Sequence, residues 1–485
     1  MSESGPNDRS SPVLHRRCTM SEPEVPLNRS DQELDHPAEG LDPLITKRYH
    51  KTQQTTAVYA DGQLLGLGKG NTQAQNYGVV LDIGTATLEA GLVEIHSGQE
   101  IASVAALNPQ SHMAEDVLSR TKLATEQNRL LMMYFGLMQA INRMLEELAG
   151  KVGIQKKHIY EIVLTGNPCM LHLATNPDPD QPAKYPYRSL LGNGHSLRSI
   201  DHNLDIAEFG RIYLPPLVSD HVGADTTAGL LATKLCDRKG ITLFIDLGVQ
   251  CELVLAVHGK MMATWSSGLP LTEIGLLHGP GTGGGLIEAF AIVDEGRIRY
   301  KTAGAAAATG IGPGGLLDIA GELEVHGIID QHGRFRDPAA VGLTEALRSR
   351  LVWRNGKRVF QISERIEVAQ KDIHQIQLAK GAIRSGVDRL LAKARLTDAQ
   401  VSKILLAGSL GYRDHTPSLI SLGLLPAGFK GKVEMVGNTA RKGGRDFLLN
   451  KSHRLAMANL VRKIAVLTED DYRNRDHPLM KSLGL

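Results

Sequence analysis

Two stretches of the chain carry the same order of apolar and polar positions. The first runs Val79-Val80-Leu81-Asp82-Ile83-Gly84-Thr85-Ala86-Thr87 and continues through Leu92-Val93-Glu94-Ile95 to Ser97-Gly98. The second runs Leu243-Phe244-Ile245-Asp246-Leu247-Gly248-Val249-Gln250-Cys251 and continues through Leu253-Val254-Leu255-Ala256-Val257 to His258-Gly259. Each pattern predicts a buried strand, a tight Asp-x-Gly corner, a second apolar strand and a hairpin turn. The Asp ends the first strand beside a corner where glycine lets backbone N–H groups come close to an anion. The repetition predicts two similar domains facing each other. A polyphosphate with Mg²⁺ between them would engage both corners.

The remaining elements alternate. Leu130, Leu131, Tyr134, Leu137, Ile141, Met144 and Leu148 follow helical spacing and predict a helix near 113–148. A strand over 159–165 ends in Gly166-Asn167, and a strand-like stretch over 211–218 leads to a helix over 226–235. Two glycine runs follow, at 279–285 and 310–315, read as turns that feed helices or act as hinges; neither has the spacing of a phosphate loop. A helix over 372–394, a strand over 403–407, a corner Gly408-Ser409-Leu410-Gly411 and a last helix after Gly437-Asn438-Thr439 complete the chain. Strands alternating with helices predict an α/β fold. The boundaries expected are a disordered tail over 1–44 and a small hairpin remnant over 45–77 turning at Asp61-Gly62. A first subdomain over 78–240, a second over 241–435 and a helical segment over 436–485 returning to the first follow.

Composition narrows the classes. The chain has 485 residues, a net charge of +2 and 4% aromatic residues. No electrostatic attraction to nucleic acid or membrane is indicated, and base-stacking surfaces are scarce. No apolar run approaches the ~20 residues needed to span a bilayer, and Met1-Ser2-Glu3-Ser4-Gly5-Pro6 lacks a signal-peptide pattern, so a cytoplasmic location is expected. Cys18, Cys169, Cys236 and Cys251 are scattered, with no C-x-x-C pair, which predicts neither a zinc site nor an Fe–S cluster in this chain.

The two Asp-x-Gly hairpins, with the late strand ending in Ala407-Gly408-Ser409-Leu410-Gly411, resemble the actin/Hsp70/sugar-kinase superfamily of ATPases. Longer strings point to one branch. They are Asn108-Pro109-Gln110, Asp116-Val117-Leu118-Ser119-Arg120, Thr165-Gly166-Asn167-Pro168-Cys169-Met170-Leu171-His172-Leu173, Val222-Gly223-Ala224-Asp225-Thr226, Gln370-Lys371-Asp372-Ile373 with Gln377-Leu378-Ala379-Lys380, and Gly423-Leu424-Leu425-Pro426. In order and spacing they resemble the ATPase part of the reductive activators of corrinoid proteins. The resemblance implies a two-domain actin/Hsp70/hexokinase-like fold with duplicated ribonuclease-H-like halves and a central nucleotide cleft. It also implies that ATP drives a low-potential electron onto a Co(II) corrinoid, returning it to Co(I).

Roles follow for named residues. Asp82 and Asp246 suit contacts to Mg²⁺ through water. Gly84, Thr85 and Thr87 would donate to the γ- and β-phosphates, with Gly248 and Gln250 opposite. Gly408, Ser409 and Gly411 would lie under the adenosine, and Gln377 with Lys380 would edge the adenine. Asp225 opens a helix, either as its N-cap or as the group that orients the attacking water or reaches the metal. Glu252 and Glu273 match acidic positions near the cleft. The implied partners are a corrinoid protein or cobalamin-dependent methyltransferase, a separate ferredoxin-like donor and a second copy of the chain. Relative to the family pattern, Val249, Gln250 and Cys251 replace Thr, Asn and Gly, which predicts slow hydrolysis. The alternatives are a non-hydrolysing nucleotide-binding docking protein and a small-molecule kinase of the same superfamily.

Overall fold

The computed structural model describes residues 14–19, 55–60, 63–114, 116–175, 191–248, 250–266, 285–337, 339, 342–408 and 413–467. Two six-stranded sheets carry the architecture. A small sheet precedes them, made of β1 (Leu14–Thr19), β2 (Thr55–Ala60) and β3 (Gln63–Lys69). The first large sheet contains β4 (Tyr77–Ile83), β5 (Thr87–Glu94), β6 (Glu100–Leu107), β7 (Ile159–Gly166), β8 (His195–Arg198) and β9 (Arg211–Leu214). The second contains β10 (Ile241–Leu247), β11 (Cys251–Val257), β12 (Lys260–Ser266), and, after an insertion, β19 (Lys403–Gly408), β20 (Val433–Gly437) and β21 (Ala465–Val466). The insertion forms two three-stranded sheets, from β13 (Leu286–Val293), β14 (Arg297–Thr302) and β15 (Gly310–Ile311), and from β16 (Leu351–Arg354), β17 (Lys357–Gln361) and β18 (Glu367–Ala369).

The duplication read from the corners extends to topology. The spatial orders β6-β5-β4-β7-β9 and β12-β11-β10-β19-β20 are the same arrangement. In both, the first three strands form an antiparallel meander and the next two join in parallel. A long helix precedes the fourth strand of each, Gln127–Val152 in the first half and Gln370–Ala394 in the second. A shorter helix follows the fifth, Ala224–Ala232 and Thr439–Leu449.

Period-two alternation assigns the faces. Val79, Leu81 and Ile83 join the core under the helix Gln127–Val152, whereas Val80 points to the opposite face. Leu243, Ile245 and Leu247 join the core under Gln370–Ala394, whereas Phe244 points the other way. Val80, Phe244, Ala228 and Phe447 meet in a third core, so the two shorter helices lie between the sheets. Asp82 and Asp246 continue the alternation of Val80 and Phe244 and therefore face this middle layer.

The layer is closely built. A Cβ at Gly443 would lie 1.9 Å from the Ala228 carbonyl oxygen, and one at Gly444 would lie 2.3 Å from Val80 Cγ1. Behind it, Arg454 makes a two-pronged ion pair with buried Glu161, at 3.0 and 2.8 Å, and stacks over Tyr213.

Three expectations change. The tail over 1–44 contributes β1, which pairs antiparallel with β2; backbone pairing to an open sheet edge asks little of side-chain pattern. The rest of that tail, Asp61-Gly62 and 281–284 lie outside the described residues. The helix expected near 113–148 is two helices, Val117–Leu123 and Gln127–Val152, the first capped by the Asp116 side chain. The helix expected over 226–235 begins earlier, at Ala224, and its N-cap is Gly223 rather than Asp225. Among the described residues no helix is long and apolar enough to cross a membrane.

Candidate functional site

The site begins where β4 and β10 end. In β4 and β5, Asp82 stands opposite Glu89; in β10 and β11, Asp246 stands opposite Glu252. Asp225 enters from the first turn of Ala224–Ala232, its Oδ1 accepting from the Thr226 N–H at 2.7 Å. Each fourth strand closes with a glycine of positive φ, Gly166 beside β4 and Gly408 beside β10. A Cβ at Gly408 would lie 2.4 Å from the Leu247 carbonyl oxygen and 2.9 Å from Asp246 Oδ1. A Cβ at Gly223 would lie 2.5 Å from Asp225 Oδ1. Glycine at these points keeps a methyl group from pressing on either carboxylate.

The acids interact electrostatically. Burial, then Glu89, raises the Asp82 carboxyl from 3.8 to about 6. Burial, then Asp82, raises Asp225 to about 7. Asp246 is pushed well above the usual carboxylate range by burial, then by Asp225 and Asp82. Glu252 is pushed well above it by burial, then by Asp225 and Asp246. Four acids that resist ionising together would ionise more readily beside a cation. No three of the described His, Cys, Asp or Glu side chains are close enough to hold an ion directly. Such a donor set fits a hydrated divalent cation, which keeps most of its waters and is oriented by carboxylates through them.

The strings that carried the resemblance frame the first corner from behind. Asn108 Nδ2 donates to the Gly84 carbonyl at 2.8 Å, and its backbone N–H donates to Ala86 O at 2.8 Å. Arg120, fully buried, donates to the Thr85 and Ala114 carbonyls. Asn167 Nδ2 reaches Thr85 Oγ1 at 3.4 Å. Thr85 is thus buried and held, while Thr87 is exposed with its carbonyl accepting from Gly84 N–H at 2.9 Å.

The second corner is simpler. Gly248 N–H donates to Gln250 O at 3.1 Å, closing a turn one residue shorter than the first. Cys251 sits in the outer core with Leu247 and Leu253, on the face away from Glu252. Val249, Glu273, Ser409 and Gly411 lie outside the described residues. Gln377 and Lys380 do not join the carboxylates. Their helix covers the opposite face of the second sheet, with Gln377 against Gly333 and Lys380 against Gly423.

Two residues escaped the sequence reading. Glu89 is the counterpart of Glu252, and the hairpin pairing predicts it once both copies are aligned. Asn438 was visible only as the start of a helix. Its Nδ2 donates to Asp82 Oδ2 at 3.0 Å and to Glu89 Oε2 at 3.1 Å.

A duplicated pair of sheets with carboxylates converging on the layer between them defines an ASKHA protein. Residues 77–238 match the family model described as the RACo middle region, and residues 240–475 match that described as the C-terminal domain of RACo, the ASKHA domain. The chain belongs to the RACo family. It is 30% identical to the corrinoid activation enzyme RamQ of Eubacterium limosum, over 81% of this chain and 67% of that protein. It is 22% identical to the [Co(II) methylated amine-specific corrinoid protein] reductase of Methanosarcina barkeri, over 80% of this chain and 73% of that one. A solved reductive activator for a corrinoid, iron–sulfur protein superposes with a TM-score of 0.84 at 25% identity, covering 99% of this chain and 80% of that one.

Proposed function

We propose that this protein is an ATP-binding activator that promotes one-electron reduction of a partner's Co(II) corrinoid to Co(I), with the electron supplied by a separate low-potential donor. The observation that carries this reading is the convergence of Asp82, Asp225, Asp246 and Glu252 between the matched lobes of a RACo-family chain. Bound Mg-ATP would supply a compact polyanion with its counter-cation and a cleavable phosphoanhydride. Asp82 and Asp246 would orient metal waters, and the backbone N–H groups of the first corner beyond Gly84, whose own N–H is bonded to the Thr87 carbonyl, would face phosphate oxygens. Asp225, in the first turn of Ala224–Ala232, would hold a proton or orient water.

Coupling requires no contact between nucleotide and cobalt. The two lobes share one middle layer, so a nucleotide that drew the corners together would act on the outer surface through it. A surface that binds the Co(I) partner more tightly than the Co(II) partner shifts the cobalt equilibrium by the same free energy. Hydrolysis would reset the cleft.

The test supplies a low-potential one-electron reductant, a Co(II) corrinoid protein and the chain, with and without Mg-ATP, and follows the visible spectrum. Co(I) should form only when all are present. A phosphorylated sugar, glycerol or short carboxylate with no effect on cobalt would make it a kinase. ATP-dependent binding to the corrinoid protein without either reaction would make it a docking protein. Turnover of ATP is expected to be slow, because phosphoryl transfer depends on positioning and the second corner offers no hydroxyl at 249–251. Val249→Thr with Gln250→Asn should raise the phosphate-release rate. Cys251 is left in place because it packs in the core. A rapid wild-type rate contradicts this.

A further inference from the structure

We propose that Asn438 is a positioning residue that ties the metal-orienting carboxylate of the first lobe to the glycine corner of the second; this rests on the Mg-nucleotide reading above. Asn438 follows β20, whose last residue, Gly437, pairs with Ala407 immediately before Gly408. Its backbone therefore belongs to the second sheet, while its side chain reaches the first. The amide is fully engaged. Oδ1 accepts from the Arg441 N–H at 2.8 Å and caps the helix Thr439–Leu449, and Nδ2 donates to Asp82 and Glu89.

Capping needs only the acceptor. The two donor bonds serve something else: they bridge carboxylates that face each other across β4 and β5. Thr165 Oγ1 donates to the other Asp82 oxygen at 3.1 Å, so both oxygens of that carboxylate are held. Arg441, one turn into the helix, pairs with Glu100 at 2.7 Å and approaches Glu89 at 3.6 Å. A shift of β20 relative to the first sheet would thus rotate Asp82 through Asn438.

Asn438→Ser separates the two jobs. Serine caps a helix about as well as asparagine but is too short to bridge both acids. Asn438→Ala removes cap and bridge together. Calorimetry of nucleotide binding in EDTA and in Mg²⁺, beside a thermal melt, reads the difference. Asn438→Ser, which keeps the cap, is expected to melt above Asn438→Ala and to keep the wild-type EDTA affinity but to lose about tenfold of the affinity gained with Mg²⁺, as for a residue that orients a metal-binding group. A wild-type Mg²⁺ gain in Asn438→Ser overturns the proposal and leaves the site reading intact. Equal losses with and without metal in both variants reduce Asn438 to a cap and also overturn it. No Mg²⁺ gain in wild type overturns both readings.

Discussion

Asp82→Asn is expected to weaken Mg-ATP binding by roughly 10–100-fold while leaving metal-free ATP affinity nearly unchanged. The substitution keeps the shape of the side chain and its bond from Thr165 but removes one negative charge facing the cleft. The same change has an opposite effect on the empty protein. The Asp82 carboxyl has a folded value of about 6 against 3.8 in the unfolded chain, so the folded state binds more protons between them. Its contribution to folding is fully present below about pH 4 and is lost as the pH rises through about 6. The melting temperature of metal-free Asp82→Asn should therefore rise relative to wild type as the pH goes from 4 to 8. The cost of setting one amide against that of Asn438 does not vary with pH, so the slope isolates the titration. Saturating Mg-nucleotide should reverse the order above pH 7. Equal affinity losses in EDTA and Mg²⁺, or a flat difference between the melts, would remove Asp82 from the metal site.

What the sequence disclosed follows from what leaves a local trace. Asp82 and Asp246 stand in apolar strands where a carboxylate has no packing role, next to glycines whose missing side chains mark a corner. That conflict with burial is visible without coordinates, and its repetition located both halves. The strands and long helices were legible because their apolar positions recur at periods of two and 3.6 residues. The break between Val117–Leu123 and Gln127–Val152 was not, because Leu123 and Ala124 continue the apolar pattern through the turn. Asn438 was illegible for another reason. An asparagine before a helix is sufficiently explained by its capping bond, and its donor bonds go to residues more than three hundred positions away. Arg120 and Asn108 stood in strings matched to a family, but only the structure shows why: they hold the backbone of Gly84 and Thr85. A residue that orients another through its backbone has no pattern of its own to read. The assignment of Gln377 and Lys380 to the adenine edge came from the resemblance alone, and their helix packs on the face of the second sheet away from the carboxylates.

The middle layer gives the other large effect. Gly443→Ala is expected to destabilise the protein by about 3 kcal/mol and to weaken Mg-nucleotide binding with it. The added methyl would lie 1.9 Å from the Ala228 carbonyl oxygen, a backbone atom that cannot rotate away. The helices Ala224–Ala232 and Thr439–Leu449 must then separate. Asp225 rides on the first of them and Asn438 caps the second, so the separation reaches the site directly. Gly136→Ala is the control. Gly136 lies inside Gln127–Val152 with nothing within 4 Å of a Cβ, and alanine there should stabilise by up to about 1 kcal/mol through helix propensity. The two substitutions add the same methyl to a helical glycine and should move the melting temperature in opposite directions. Only Gly443→Ala should change the calorimetric affinity. A Gly443→Ala protein with wild-type melting and wild-type Mg-nucleotide affinity would mean that the helix crossing does not set the distance between the two corners. The carboxylates would then be positioned by their own strands alone.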